Sequence, residues 1–258
     1  MTFTEYRSLA DRVVVITGGA SGIGEIHVRA FVANGARVAF LDLQEDTGAA
    51  LAAELRGSAR HAPLFVPCDL TDIEALRAAL AGVRQQFGPA AVLVNNAAND
   101  LRQSFAEVTP DQFDWMMAVN LRHVYFACQA VVPQMIELGH GAIVNMSSMA
   151  WMFGVPDLQA YAAAKAAIVG LTNTLASQYG PHRIRVNAIA PGLVLTEKQR
   201  TLWFHDDAKL AAAIARQALP VSIEPADIAR LALFLASDDS RMITKQTIAV
   251  NGGSRAIP

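Results

Sequence analysis

The stretch VVVITGGASGIG, residues 13–24, decides the fold. A β-branched run leads into a turn with four glycines, and the turn opens an amphipathic segment, 22–33. Glycine permits positive φ and lets a phosphate approach the backbone, while a helix that begins at the turn offers free N–H groups. This context predicts a site for the pyrophosphate of a dinucleotide. Taken alone, the turn is also compatible with an ordinary tight strand-to-helix connection.

The rest of the chain alternates short β-branched runs with longer alanine- and leucine-rich segments. Predicted strands cover 12–17, 37–41, 63–68, 91–95, 142–146, 183–189 and 247–250. Predicted helices cover 22–33, 45–55, 72–87, 110–138, 160–179 and 225–236. The pattern predicts one α/β domain over 1–258, a Rossmann-type doubly wound parallel sheet of about seven strands with helices on both faces. The segment 193–221 has no strand rhythm and is predicted to be an insertion that forms a substrate loop.

Composition excludes several functional classes. The net charge of the 258 residues is −2 and the basic residues do not cluster, so no nucleic-acid partner is expected. The long apolar segment 113–135 carries Asp114 and Arg122, so no membrane span is expected. The two cysteines and the charged amino terminus favour a cytoplasmic protein without disulfides. The six histidines lack ligand spacing, so no metal site is expected.

Asp42 predicts which dinucleotide is bound. It ends the second predicted strand, twenty residues after Gly22, where a carboxylate can accept hydrogen bonds from the ribose hydroxyls. The same carboxylate repels a 2′-phosphate, and neither Ser21 nor Leu43 supplies a compensating cation. NAD is therefore the predicted cofactor, with use of NADP left open.

Three residues in the second half of the chain predict acid–base chemistry. Tyr161 and Lys165 are four positions apart on a predicted helix and share one face, although alone they could be a surface pair. Ser148 follows a predicted strand at the sheet edge where open α/β sheets bind ligands. Nearby positive charge favours the phenolate, so we expect Lys165 and the oxidised nicotinamide together to lower the pKa of Tyr161 from its free value of about 10. Tyr161 is then the general base, and Ser148 holds the substrate oxygen.

Together these motifs resemble the short-chain dehydrogenase/reductase family over essentially the whole chain. The resemblance rests on 17–24, Asp42, Asp69-Leu70, Asn95-Asn96-Ala97, Asn120, Ser148, Tyr161 with Lys165, and Pro191-Gly192 with Thr196. It implies a catalytic set of Asn120, Ser148, Tyr161 and Lys165. It also implies a cofactor site made of Gly18, Ser21, Gly22, Ile23, Gly24, Asp42, Leu43, Asp69, Leu70, Asn96, Tyr161, Lys165, Pro191, Gly192, Val194 and Thr196.

The resemblance also implies individual roles. Asp69 and Leu70 would contact the adenine, and Asn96 would lie under the adenine ribose. Asn120 would hold a water linked to Lys165, although it could instead be a buried residue at a helix kink. Lys165 would also bind the nicotinamide ribose. Val194 and Thr196 would fix the carboxamide, although Thr196 could simply cap a helix.

Two positions depart from the family pattern. Ala98 stands where glycine is usual after Asn-Asn-Ala, and Lys245 replaces the usual glycine before the last strand. Neither belongs to the catalytic set, but Lys245 puts the geometry of its turn in doubt.

Several segments resemble bacterial aldose 1-dehydrogenases, which oxidise sugars such as xylose or arabinose. These are 95–102, 119–123, 148–151 and 196–203. The implied substrate set is Asn99, Asp100, Ser148, Trp151, Gln159, Tyr161, Lys198, Gln199, Arg200 and Trp203. Its polar members would pair with hydroxyls and its tryptophans would form apolar walls, although 198–200 could instead be a solvated helix face.

The expected reaction is NAD-dependent oxidation of the anomeric hydroxyl of a pentose or deoxyhexose to its lactone. The alternatives are a secondary-alcohol, polyol or 3-oxoacyl dehydrogenase/reductase of the same family, and a non-catalytic nucleotide-binding module. The expected partners are a small sugar or alcohol and further copies of the chain, in the tetramer that the family resemblance implies.

Overall fold

A computed structural model describes residues 2–254, which form a seven-stranded parallel sheet with helices on both faces. The strands are β1 Val13–Thr17, β2 Arg37–Asp42, β3 Leu64–Pro67, β4 Val92–Asn95, β5 Gly141–Met146, β6 Ile184–Pro191 and β7 Thr247–Val250. Their order in the sheet is β3-β2-β1-β4-β5-β6-β7. From β1 the strands β2 and β3 add to one side of the sheet, and β4 to β7 add to the other side. In doubly wound folds, ligands bind in the crevice at this switch point between β1 and β4.

Both faces of the sheet are buried, which explains why the strands are apolar without alternation. In β1, Val14 and Ile16 pack into one core with the helices Gly22–Ala33, Glu45–Arg56 and Pro225–Ala236. Val13 and Val15 pack into a second core with the helices Ile73–Phe87, His123–Leu138 and Gln159–Tyr179. The helices are α1 Gly22–Ala33, α2 Glu45–Arg56, α3 Ile73–Phe87, α4 Pro110–Met117, α5 His123–Leu138, α6 Ala150–Phe153, α7 Gln159–Tyr179, α8 Glu197–Leu202, α9 Asp207–Ile214 and α10 Pro225–Ala236.

The sequence prediction of one helix over 110–138 is wrong in one respect. The segment is α4 and α5, joined by a π-helical turn at Ala118–Arg122. Inside this turn the Asn120 side chain donates to the Met116 carbonyl at 3.0 Å. The sequence pattern does not reveal such a turn, because one inserted residue lengthens only a single spacing between apolar positions. The other five predicted helices and all seven strands are present, with bounds that differ by at most two residues.

The segment 193–221 lies between β6 and α10 and contains α8 and α9. Thr196 caps α8, because its side chain accepts from the Gln199 N–H at 3.2 Å. An isolated parallel bridge between Val194 and Ile223 joins the two ends of the segment. Neither helix contains a fully buried residue, so the segment lies over the sheet without an apolar core of its own.

The turn before β7 contains a lysine in a backbone conformation that glycine usually adopts. Lys245 adopts φ 65°, the left-handed conformation that favours glycine, and its N–H donates to the Val186 carbonyl at 2.8 Å. Within residues 2–254, no helix has the length and apolar character that crossing a bilayer requires.

Candidate active site

A cavity of about 1210 Å³ runs along the carboxyl edge of the sheet. It is larger than the ~300–1,000 Å³ of a typical small-ligand pocket, as a site for a dinucleotide and a substrate must be. The ends of β1, β2, β3, β4, β5 and β6 all contribute lining residues. Every residue of the predicted cofactor set lies along this cavity. Their individual contacts with a nucleotide remain predictions.

The glycine turn is shaped for close approach of the backbone to a ligand. Gly18 and Gly22 have φ of 66° and 58°. A Cβ on Gly18 would lie 2.7 Å from the Ala97 Cα, and a Cβ on Gly24 would collide with the Gly18 carbonyl. At Gly22 the same Cβ would meet only the Thr196 methyl group at 3.7 Å, so it would project into the cavity. The turn therefore fits the pyrophosphate of a dinucleotide.

Asp42 is buried at the end of β2, beside the glycine turn. Its Oδ2 accepts from the Ala20 N–H at 2.9 Å, and its Oδ1 accepts from the Gln44 N–H at 3.0 Å. The Gln44 side chain bridges to the Ser21 hydroxyl at 3.0 Å. Because each carboxylate oxygen has two lone pairs, Oδ2 keeps one for a ribose hydroxyl. Leu43 is 69% exposed, and among residues 2–254 no cationic side chain lines this end of the cavity.

The predicted adenine end consists of the residues after β3 and β4. Asp69 closes a turn by accepting from the N–H and hydroxyl of Thr71, both at 2.8 Å, and Leu70 is buried next to it. The Asn96 side chain donates to the carbonyls of Thr17 at 3.2 Å and Gly18 at 2.9 Å. Asn96 thus fixes the glycine turn from below, a role additional to the predicted ribose contact.

Ser148, Tyr161 and Lys165 are brought together at the middle of the cavity. Lys165 is 1% exposed, its Nζ donates to the Met146 carbonyl at 2.8 Å, and it lies 5.6 Å from the centre of the Tyr161 ring. The Ser148 hydroxyl accepts from the Ala150 N–H at 3.1 Å, which holds it at the start of α6. The pairing of Tyr161 with Lys165 is therefore not a surface pair.

Burial controls the protonation of this group. Desolvation lowers the pKa of Lys165 to about 7. Desolvation also raises the pKa of Tyr161 to about 12, against a smaller lowering by the hydrogen bond with Ser148. Burial therefore outweighs the lowering expected from Lys165, and a lower pKa in the presence of the oxidised nicotinamide stays a prediction. The ammonium is directed at the Met146 carbonyl, so loss of hydration is the stronger effect.

Asn120 holds protein rather than facing the cavity. Its Oδ1 accepts from the Asn99 N–H at 2.9 Å, and its Nδ2 donates to the carbonyls of Asn99 and Met116, both at 3.0 Å. It is fully buried in the π-helical turn, as the kink interpretation expects, and its side chain does not line the cavity. Both amide hydrogens are used, so the side chain has no donor left for a bridging water. The side chain thus joins the π-helical turn to the loop after β4, and its predicted contact with a water stays a prediction.

The predicted nicotinamide end consists of Pro191, Gly192, Val194 and Thr196, all of which line the cavity. The Gly192 N–H donates to the Val250 carbonyl at 2.9 Å, and a Cβ on Gly192 would lie 2.9 Å from the Asn251 Cα. Thr196 lines the cavity and also caps α8, so the two interpretations of this residue are compatible.

The predicted substrate residues divide into two groups. Asn99, Asp100, Ser148, Tyr161, Lys198 and Gln199 line the cavity. Trp151, Gln159, Arg200 and Trp203 do not. The indole N–H of Trp151 donates to the Ser147 hydroxyl at 3.3 Å, and Trp203 stacks with Arg102 at 4.6 Å. The apolar wall consists instead of residues that the sequence reasoning missed, which are Met149, Phe153, Leu158 and Phe204.

Asp100 is the most strongly paired polar group of the substrate region. Burial would raise the pKa of its carboxyl, but the hydrogen bond and charge of Lys198 outweigh burial and hold that pKa below its usual range. Within residues 2–254, no group of three His, Cys, Asp or Glu side chains is placed to hold a metal ion.

Comparisons with known proteins agree with the site. A family model described as enoyl-(acyl carrier protein) reductase matches residues 18–255. The probable galactose dehydrogenase GalD of Rhizobium meliloti (strain 1021) is 44% identical over 250 residues, which are 97% of each chain. D-xylose 1-dehydrogenase of Caulobacter vibrioides (strain NA1000 / CB15N) is 42% identical over 255 residues, 99% of this chain and 100% of that enzyme.

The same family emerges from solved structures. The structure of a short-chain type dehydrogenase/reductase from Mycobacterium ulcerans matches with a TM-score of 0.89 at 28% identity, covering 98% of this chain and 90% of that one. Sequence, fold and site therefore agree that this chain belongs to the short-chain dehydrogenase/reductase family and is an oxidoreductase that acts on CH–OH groups.

Proposed function

We propose that the enzyme oxidises the anomeric hydroxyl of an aldose, a pentose or deoxyhexose, to the lactone with NAD as acceptor. The proposal rests on one observation: acid–base residues and a polar side chain suited to hydroxyls line the same cavity. The acid–base residues Ser148, Tyr161 and Lys165 share it with the polar side chain of Asn99. A substrate with several hydroxyls suits such a pocket, because each buried polar group needs a partner.

The chain's own residues supply the proton chemistry. Tyr161 as phenolate takes the proton of the substrate hydroxyl, while Ser148 holds the same oxygen in place. The C–H hydrogen leaves that carbon as hydride, so the CH–OH group loses two electrons and becomes the carbonyl of the lactone. When bound, the oxidised nicotinamide ring accepts the hydride, and its positive charge favours the phenolate. Lys165 is buried beside the tyrosine and favours the phenolate further whenever it is protonated.

The choice of NAD rests on the ribose end of the cavity. Asp42 is buried there with a free lone pair, and Leu43 offers no positive charge. A 2′-phosphate would meet a carboxylate without a counterion, which costs binding free energy. The ribose hydroxyls of NAD would instead donate to that carboxylate.

The choice of a sugar rests on the polar residues and on the relatives. GalD and the Caulobacter enzyme are named for galactose and D-xylose. The Asn99 backbone is held by Asn120, and its Oδ1 accepts from the Leu101 N–H at 3.0 Å. These bonds fix the side chain and leave its amide nitrogen to donate to a substrate hydroxyl.

The test is NAD reduction across a panel of aldoses, aldose epimers and polyols. We expect one aldose to be preferred, with epimers differing in kcat/KM by more than about tenfold, because unpaired buried polar groups discriminate strongly. Asn99→Ala should raise KM for the sugar and leave KM for NAD unchanged. Absence of any aldose activity beside clear oxidation of a polyol would remove the sugar assignment and leave the catalytic residues in place.

Oxidation of a secondary alcohol is the second candidate. It is favoured by the apolar wall of Met149, Phe153, Leu158 and Phe204, which suits a ring or chain with few hydroxyls. Including cyclic secondary alcohols in the same panel separates the two functions.

The proposal includes a homotetramer in the cytoplasm. Exposed apolar residues on α4 and α5 support self-association, since Trp115 is 42% exposed and Tyr125 is 52% exposed. Both cysteines are free and buried, as is usual in a reducing compartment. Light scattering on the eluted protein gives the mass, and a monomer would contradict the assembly. Recovery of the protein with the cytoplasmic fraction of its cell would support the location, and recovery outside the cytoplasm would contradict it.

A further inference from the structure

The loop after β4 is held on its inner side by the π-helical turn. Asn120 bonds both the N–H and the carbonyl of Asn99, at 2.9 and 3.0 Å. The Asn99 side chain then accepts from the Leu101 N–H at 3.0 Å, which turns the chain outward. Asp100 therefore projects from a backbone that is fixed by hydrogen bonds.

On its outer side the same loop holds α8. Asp100 Oδ1 pairs with Lys198 Nζ at 2.6 Å, and Oδ2 accepts from Gln199 Nε2 at 2.7 Å. Two residues further on, the Arg102 guanidinium stacks on the Trp203 ring at 4.6 Å and donates to the Pro156 carbonyl at 3.4 Å. Two contacts of Asp100 thus link the loop after β4 to α8, one contact of Arg102 links this loop to the C-cap residue Trp203, and another links it to Pro156.

These contacts matter because α8 has little else to hold it. Neither α8 nor the following α9 contains a fully buried residue. Exposed ion pairs usually contribute little, since solvent screens them and flexible side chains lose entropy. Here the Asp100 side chain is only 26% exposed, both its oxygens are used, and its backbone is already fixed.

We propose that Asp100 is a positioning residue that clamps α8 over the cavity, with Arg102 and Trp203 as a second clamp. Thr196 begins α8 and belongs to the nicotinamide end, so the clamp also sets the position of that residue. Lys198 and Gln199 then act on the helix rather than on the substrate. Only the catalytic part of this inference rests on the proposed function.

The primary test is limited digestion with thermolysin without cofactor or sugar, read by mass spectrometry as the cleavage rate within residues 197–214. Asp100→Ala should raise this rate at least about fivefold, because local opening governs proteolysis of a folded protein. The thermal midpoint should change little. Trp203→Ala should act in the same direction, and Trp203→Phe should restore resistance.

Glu137→Ala is the matched control. It removes the acidic partner of Arg84, a pair at 2.7 Å on the protein surface that does not line the cavity. The cleavage rate of this variant should equal that of the unmodified protein. The exchange of charges in Asp100→Lys with Lys198→Asp should restore resistance if Asp100→Ala proves hard to handle.

Two results would overturn the clamp. One is an unchanged cleavage rate in Asp100→Ala. The other is a Lys198→Met variant with unchanged cleavage whose KM rises for one sugar only, which would make Lys198 a direct substrate contact. With the preferred substrate, the clamp predicts that Asp100→Ala raises KM several-fold more than it lowers kcat. Failure of the sugar assignment would leave the digestion result standing.

Discussion

At the scale of single residues, burial governs the chemistry of the site. Tyr161 and Lys165 were recognisable from their spacing together with Ser148, and the structure places all three along one cavity. Their protonation was not predictable in this way. Desolvation depends on how much protein surrounds each group, and it raises the pKa of Tyr161 while lowering that of Lys165.

Replacing the phenol tests the proton transfer. Tyr161→Phe should reduce kcat at least ~100-fold, the low end for general acid–base catalysis, while the Kd for NADH stays nearly unchanged. Tyr179→Phe is the control, since that hydroxyl meets only the Gln178 side chain at 3.3 Å. Because the pKa of Tyr161 is raised to about 12, the oxidation rate of the unmodified enzyme should rise with pH above 7. A Tyr161→Phe variant that keeps a tenth of the activity would exclude this residue as the base.

Asp42 should decide between the two nicotinamide cofactors. Asp42→Ala combined with Leu43→Arg should shift the ratio of Kd values toward NADP by about tenfold or more, because an arginine would pair with the 2′-phosphate. Leu43→Arg alone is the control, in which the carboxylate still opposes the phosphate. Fluorescence titration measures both constants. Equal or better kcat/KM with NADP in the unmodified enzyme is the result that contradicts the assignment.

His27 makes the fold sensitive to acid. Within residues 2–254 neither ring nitrogen has a hydrogen-bond partner, and burial lowers the pKa of this histidine to about 3. Because the unfolded pKa is about 6.5, the unfolded chain takes up the proton first. The stabilisation is therefore complete above pH 6.5 and is lost as the pH falls toward 3. Between pH 7 and 5 the free energy of unfolding should fall by about 2 kcal/mol through His27 alone.

His27→Leu should remove that part of the acid dependence. Urea unfolding at pH 7 and pH 5 measures the fall in the free energy of unfolding. Part of this fall should persist in the variant through His123, because burial lowers the pKa of His123 to about 3 as well. An acid loss of the same size in His27→Leu would show that His27 does not contribute.

At the scale of elements, the predicted strands and helices were nearly complete because each has a strong local signal. Thr109 shows why, since it forms a capping box with Gln112 at the start of α4. The π-helical turn at Ala118–Arg122 had no such signal. It depends on contacts that Asn120 makes with Asn99, twenty-one positions away.

Two helical glycines give a matched test of the glycine turn. A Cβ at Gly24 would collide with the Gly18 carbonyl, whereas a Cβ at Gly82 in α3 would meet nothing within 4 Å. Gly24→Ala should therefore destabilise the protein and weaken NADH binding. Gly82→Ala should stabilise it by up to ~1 kcal/mol, because alanine loses less backbone entropy in a helix. Thermal unfolding with and without NADH compares the two, and equal behaviour would contradict the role of Gly24.

At the scale of the whole molecule, the parallel topology explains which site residues were predictable. The family resemblance implied the cofactor set, and most of its residues follow the carboxyl end of a strand, whereas Tyr161 and Lys165 lie on α7. The substrate wall was not predictable in the same way. α8 and α9 are positioned by side-chain contacts such as Asp100 with Lys198, and Trp203 faces Arg102 instead of the cavity.

The concentration of function at one edge leaves the other edge of the sheet free. Gly57 and Gly180 lie in the connections that lead into β3 and β6, and a Cβ on either of them would meet nothing within 4 Å. A linker placed at one of these turns would tether the enzyme to an electrode or bead with the mouth of the cavity facing the solution. Attachment at the amino edge of the sheet would therefore immobilise the enzyme in one defined orientation.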